Sequence, residues 1–448
     1  MKTMKNRHTL IIALALAAIA SPLAMQAQNG FNIPFSQYGI GLSDQPYNMP
    51  SAFGIGGTVY ARSARNTINP FNPASYSAIE TESFVLDIGI NLQTCVLRND
   101  ADRLTDADGN LAYLTVAFPI TQWWKMSAGL LPYSTVNYES GQTRRTADLG
   151  DVQTIYAGNG GVSQIYWGNG FNIGKRLSVG FNLNYLYGTI TRAITYDFVG
   201  NDTTYAINSR NQKNTFVNNL LIDLGIQYSQ PLGSNYTLRM GATCRLPRTM
   251  KVEDQSLSYT FCTRSTTEYL FDTIFPAPGQ NDTYNSTLRQ PIAVGIGVAL
   301  ERNERWEVDL DGYYSPSSGM QYEEDPHYNL FGSSALRTAP NYRVALGGEW
   351  KGNPSSSTYW GRIGMSAGVY HNRAKLSLQT TSAAAPTAIN ETGCGIAFKL
   401  PMRKGRSLLT LGIGYSSIGT TDLLRRDVVT FGIAIGSCER WFVKRKYN

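Results

Sequence analysis

Phe84, Leu86, Ile88, Ile90 and Leu92 stand at every second position, and Asp87, Gly89, Asn91 and Gln93 lie between them. Successive side chains of a strand point to opposite faces, so such a run has one apolar face and one polar face. The alternation recurs over about 83–98, 110–120, 124–138, 161–172, 176–198, 214–230, 235–250, 288–300, 305–315, 338–351, 358–371, 391–400, 406–416 and 427–438, fourteen segments in all. Their polar faces are Gly-rich and charged, and fourteen strands outnumber what one soluble sandwich needs. The pattern predicts an all-β fold, a transmembrane antiparallel β-barrel of about 14 strands whose apolar face meets lipid.

An even strand count leaves both chain ends on the periplasmic side. The connections alternate in length: those around 99–109, 139–160, 199–213, 251–287, 316–337, 372–390 and 417–426 are long, and those between are short. Barrels of the outer membrane have short periplasmic turns and long extracellular loops, which orients the chain. Trp123, Trp124, Trp306, Trp350, Trp360 and Trp441 fall beside short connections or at the closing strand, at the headgroup level that indole rings favour. Trp167 alone falls within a strand.

The ends change the picture. Lys2, Lys5 and Arg7 precede an apolar run from Leu10 to Ala20, and Ala27 offers a small residue for cleavage, so residues 1–27 read as a signal peptide. This places the chain in the outer membrane of a Gram-negative bacterium. No later run approaches the ~18 apolar residues of a spanning helix. The formal charge of +7 drops by three once Lys2, Lys5 and Arg7 are gone, and basic residues are scattered apart from the tail at 444–448, so no nucleic-acid partner is expected. Cys95, Cys244, Cys262, Cys394 and Cys438 are odd in number and lack CxxC spacing, which points to free thiols and no metal cluster; a Cys244–Cys262 bridge would need a hairpin.

Catalysis has little to build on. The mature chain keeps His327 and His371, without a companion nucleophile at recognisable spacing, and no enzyme activity or cofactor is expected. Asp100, Asp102, Asp106 and Asp108 crowd the first long connection before Gly109, but the spacing departs from a calcium loop and reads as a solvated turn.

Between the leader and the barrel (83–443), residues 28–82 hold no useful strand, yet carry Phe31, Phe35, Tyr38, Tyr47 and Phe53 among Gly and Pro. That apolar content argues against disorder and for a hatch or plug inside the lumen. Asp87, Asn91, Asn182, Asn184, Asp223, Gln227, Arg239, Arg245, Asp309, Asp311, Arg343, Glu349 and Arg362 are expected to point inward, with glycines leaving room beside them.

Gly54-Ile55-Gly56-Gly57 through Ala64, followed by Asn69-Pro70-Phe71-Asn72-Pro73-Ala74, resembles the N-terminal motif of the FadL/TodX outer-membrane family; Ser127–Ser134 and Gly395–Pro401 through Trp441-Phe442 resemble it too. The resemblance implies a plugged barrel for passive uptake of hydrophobic compounds such as long-chain fatty acids. A kinked third strand with Gly129, Leu131, Pro132 and Tyr133 would then be a lateral gate into the membrane. Proline donates no ladder hydrogen bond, so a local break at Pro132 is expected on physical grounds as well. Asn69, Pro70, Asn72 and Pro73 also read as two Asn-Pro turns anchoring the hatch.

Partners expected on this reading are outer-membrane lipid and a hydrophobic small molecule. The alternative is a non-transporting subunit or scaffold of an outer-membrane secretion or barrel-assembly complex, with outer-membrane or periplasmic proteins as partners. A continuous apolar pocket beside Gly129–Ser134 would favour transport. A lumen closed by salt bridges, such as Asp309 or Asp311 with Arg239 or Arg343, would favour the scaffold.

Overall fold

The computed structural model describes residues 33–37, 39–43, 46–99, 102–146, 150–199, 207–264, 267–276, 282–303, 305–317, 320–323, 340–378, 387–402, 407–420 and 424–440. The leader, Phe31, Tyr38, His327, Trp441 and the basic tail lie outside the described residues.

The wall is a closed antiparallel barrel of fourteen strands. It runs β2 (Ser83–Arg98), β3 (Arg103–Pro119), β4 (Trp124–Thr146), β5 (Gly150–Ile173), β6 (Leu177–Val199) and β7 (Asn208–Leu232). Two wall strands are each broken in the middle: β8 (Tyr236–Arg245) continues as β9 (Arg248–Arg264), and β11 (Thr283–Gln290) continues as β12 (Ala293–Arg302). The ring is completed by β13 (Trp306–Ser315), β15 (Asn341–Trp350), β16 (Gly364–Leu378), β17 (Thr387–Pro401), β18 (Ser407–Thr420) and β19 (Leu424–Arg440), which pairs with β2 from Arg440↔Ser83 to Arg425↔Arg98. Outside the ring proper, β1 (Leu42–Ser43) pairs with β4, β10 (Thr267–Phe275) hangs on β9, and β14 (Gln321–Glu323) adds to β11.

Both breaks fall at proline, and they face each other: Arg245 pairs with Ala293 below Pro247 and Pro291, and Arg248 with Gln290 above them. A residue without an N–H interrupts the ladder, and two at one level let both strands bend together.

The polarity inverts that of a soluble protein. Ile90, Leu92, Leu224, Ile226, Ile296, Leu310, Leu346 and Phe431 are exposed in a girdle, while Asp87, Asn91, Asn182, Asn184, Asp309, Asp311 and Arg343 are buried inside. This girdle is where an outer-membrane barrel meets lipid.

Several strands run past their expected ends. β4 and β5 stay paired up to Thr146↔Gly150, and β6 and β7 up to Tyr196↔Ser209, so most of the connection expected at 139–160, and residues 208–213 of the one expected at 199–213, are ladder. Above the bilayer both faces of a strand are wet, the alternation vanishes, and the sequence pattern no longer reports the strand. Likewise Asp106 and Asp108 lie in β3, opposite Cys95 and Gln93, and not in a loop. Arg362 is a further correction: it is exposed in the short 3-10 turn Trp360–Arg362 below β16 and does not point into the lumen. None of Cys95, Cys244, Cys262, Cys394 and Cys438 forms a disulfide among the described residues.

Candidate functional site

The segment 46–82 lies against the inner wall, and glycine makes the room. A Cβ on Gly241 would run into the Tyr60 carbonyl, and one on Gly368 into the backbone of Ile55 and Gly56. Side chains then anchor the backbone so seated. Gln227 donates to the carbonyls of Tyr60 (3.0 Å) and Arg62 (3.1 Å), and Asn91 donates to that of Asn48 (2.7 Å).

Asn69 and Asn72 act as turn residues. The Asn69 amide donates to the Val59 carbonyl (2.6 Å) while its oxygen accepts from the Phe71 N–H (3.2 Å). Asn72 caps the 3-10 turn Pro73–Ala78 by accepting from the Ala74 N–H (3.1 Å) and donates to the Tyr60 carbonyl (2.6 Å). Asn182 ties both ends of the motif to the wall, donating to the Pro70 carbonyl (2.8 Å) and accepting from the Tyr76 hydroxyl (3.0 Å). Ala74 is fully buried, and Phe53 packs against glycines of the wall such as Gly432.

Arg62 is the electrostatic centre. Its guanidinium bonds Asp309 of β13 at 2.7 Å and also contacts Glu349 of β15. Around them Arg239 of β8 bridges Glu301 (2.6 Å) and Glu307 (2.5 Å), Lys351 reaches Glu301 (2.8 Å) and Glu307 (2.5 Å), and Lys399 of β17 holds Glu349 (2.6 Å). Burial alone would lower the Arg62 pKa, but Asp309, Glu307 and Glu349 outweigh it and hold the group well above its ordinary value. Asp311 accepts the N–H groups of Val59 (2.6 Å) and Tyr60 (3.0 Å), and Arg343 donates to the Tyr60 hydroxyl (3.0 Å). Arg245 pairs with Asp223 (2.7 and 2.8 Å) beside Tyr133.

Below this cluster a cavity of about 870 Å³ opens at the short-turn end, lined by Arg62, Arg239, Glu307, Glu349, Lys351 and Lys399 among others. Above it an apolar cluster fills part of the interior: Tyr133, Val136, Val162, Leu186 and Leu221 pack with Ile40. Leu186 and Leu221 share the inward parity of Asn184 and Asp223, whereas the register shift at Pro132 puts Val136 out of step with Leu131 and Tyr133 and hides it from the alternation.

The lumen is therefore closed by ion pairs between plug and wall, though not between the partners anticipated from sequence: Asp309 takes the plug's Arg62, and Arg239 takes glutamates of its neighbours. Around Pro132 the β4–β5 register shifts, between Pro132↔Ser163 and Ser134↔Val162. Gly129 stays fully paired, and Leu131 and Tyr133 are buried inside. Phe35 is buried in the short 3-10 turn Pro34–Gln37.

A plugged fourteen-stranded barrel with a lipid-facing girdle is an outer-membrane protein by construction. The family model for BamG matches residues 6–448, and the chain belongs to the BamG family. Among solved structures it is similar to a FadL homologue of Pseudomonas aeruginosa (TM-score 0.56, 11% identity, 88% of this chain and 98% of that one). It is also similar to the Ralstonia pickettii toluene transporter TbuX (0.54, 10%, 88% and 98%) and the Pseudomonas putida toluene transporter TodX (0.52, 12%, 89% and 99%). Identities this low show a shared fold and nothing more. No curated protein matches the chain.

These findings correct the reading from motifs. The chain is not assigned to the FadL/TodX family, and uptake of a hydrophobic compound with lateral exit is overturned by the BamG match. The physical reason lies in the motifs: Asn-Pro turns and close-packed glycines are what seating a plug in a barrel requires, whatever the barrel does.

Proposed function

We propose that this chain is a non-transporting barrel subunit of the barrel-assembly machinery of the outer membrane, with the other subunits of that machinery as its partners. The family carries this reading, and the plug geometry supports it: Arg62 spends its charge on buried carboxylates of the wall, so opening the lumen would strand Asp309. The strand β10 supports a protein partner. It is an edge strand on the long-loop side, exposed along nearly its whole length, and it displays Tyr269, Leu270, Phe271 and Ile274. Edges of that kind are normally covered. Export through a cleaved leader at 1–27 belongs to the same proposal.

The test is purification of the tagged full chain in mild detergent, together with depletion in the cell. Co-elution with assembly subunits and a fall in the levels of other outer-membrane barrels are expected. A chain that purifies alone, with depletion leaving those levels unchanged, sinks the reading.

A further inference from the structure

Trp167 is not explained by the aromatic belt. Indole rings favour the headgroup level, yet Trp167 lies four residues further into the membrane band than Phe171, on the same face of β5. It is one end of a continuous strip of rings on the outer wall. Trp167 meets Phe181 edge-on (6.5 Å between centroids), Phe181 stacks on Phe171 (6.3 Å), and Phe171 stacks on Trp123 (6.0 Å) and Trp124 (6.1 Å). The strip crosses β4, β5 and β6 and ends at the short turns on the periplasmic side, with both Trp123 and Trp167 exposed.

Those turns are tied to one another. The Asn172 N–H donates to the Trp123 carbonyl (2.8 Å), and the Ser229 N–H donates to the Arg176 carbonyl (2.8 Å), so the turn Gly174-Lys175-Arg176 is held between its neighbours. Lys175 and Arg176 are exposed there, and neither makes a side-chain ion pair among the described residues. The chain around them is free of carboxylates. No Asp or Glu occurs in residues 110–138, 152–196 or 224–238. Asp223 is spent on Arg245 inside the lumen, and Glu80 lines the inner cavity. Elsewhere on the rim, by contrast, Arg302 follows Glu301 and Arg440 follows Glu439.

We propose that this strip and turn form a site for one anionic phospholipid of the periplasmic leaflet, its phosphate on Lys175 and Arg176 and an acyl chain along Phe171, Phe181 and Trp167. The order of the groups is the order of the lipid: cations at the turn, then rings at the headgroup level, then rings within the hydrocarbon band. Two cations with no carboxylate beside them select an anionic headgroup, because a zwitterionic one would bring its ammonium against them with nothing to meet it. Rings already locked by stacking lose little freedom when a chain settles on them. The site lies on the lipid side of the wall and does not depend on which proteins the barrel joins.

The test is a lipid pull-down with the full-length chain. The tagged protein is stripped of lipid in detergent, offered equal amounts of phosphatidylglycerol and phosphatidylcholine with the same acyl chains, and washed, and its bound lipid is measured by mass spectrometry. Phosphatidylglycerol is expected in about tenfold excess, since each Lys or Arg near an anionic lipid contributes several-fold. Lys175→Gln with Arg176→Gln should erase the preference and leave the melting temperature unchanged, both side chains being exposed. Arg302→Gln, at a turn with its own acid, should keep the preference. Trp167→Leu should weaken both lipids alike. Equal binding of the two lipids by the unmodified chain, or a preference that survives the loss of Lys175 and Arg176, overturns the site. If the Lys175/Arg176 variant keeps the preference but loses co-purifying assembly subunits, the strip is a protein contact instead. Full displacement of phosphatidylglycerol by millimolar inorganic phosphate at constant ionic strength would reduce it to a bare anion site and overturn the lipid as occupant.

Discussion

Replacing Arg62 by Met should cost far more than a surface ion pair would. Asp309 is buried, and Arg62 is the partner of its Oδ2, while its Oδ1 has none. Glu349 keeps Lys399, and Glu307 keeps Arg239 and Lys351. The loss therefore concentrates on Asp309, and a buried charge left without its partner costs about 3–5 kcal/mol. Arg62→Met with Asp309→Asn removes the stranded charge and should recover about half of that or more. The assay is equilibrium urea unfolding of the purified chain in detergent by tryptophan fluorescence, run as a double-mutant cycle. A coupling below ~0.5 kcal/mol, the scatter of independent sites, would refute the claim that Arg62 holds the plug through Asp309.

Other perturbations bear on the plug and on the outer surface. Gly241→Val pushes a branched side chain into the Tyr60 carbonyl, so the plug should become cleavable by protease near Arg62 in the folded barrel, which peptide mapping would reveal. Asn72→Ala removes both a turn cap and the bond to the Tyr60 carbonyl; about 1–2 kcal/mol should be lost in the same unfolding assay. Leu270→Asp with Phe271→Asp should reduce co-purification with assembly subunits while leaving the melting of the isolated barrel unchanged, since both side chains are exposed.

How much of this was legible in the sequence depends on where lipid sits. Within the girdle, Ile88, Ile90 and Leu92 alternate because one face is greasy and one is not, so the strand number and inward residues such as Asp87, Asn91 and Asp309 could be read directly. Beyond the bilayer that contrast disappears, which hid the upper half of β4 and β5. The ion cluster was half visible: Asp309 and Arg239 could be placed inside by parity, but their partners depend on how a plug with no periodicity folds back through the ring. Arg62 carried no pattern signal, and only its position between Gly57 and Asn69 could have drawn notice. The function is the least legible, because the turn chemistry that seats a plug in any barrel also matches the N-terminal motif of the FadL/TodX family.

The Arg62 cluster also has a mechanical consequence. A hollow ring of fourteen strands can flatten sideways when neighbours press on it. This ring is tied across its interior through the plug, which Arg62 bonds to Asp309 on β13 and Glu349 on β15 while Asn182 on β6 and Asn91 on β2 hold its backbone elsewhere on the wall. Flattening would pull those pairs apart, so the tie fixes the cross-section, and the barrel presents an outline of constant shape to whatever stands beside it in the membrane.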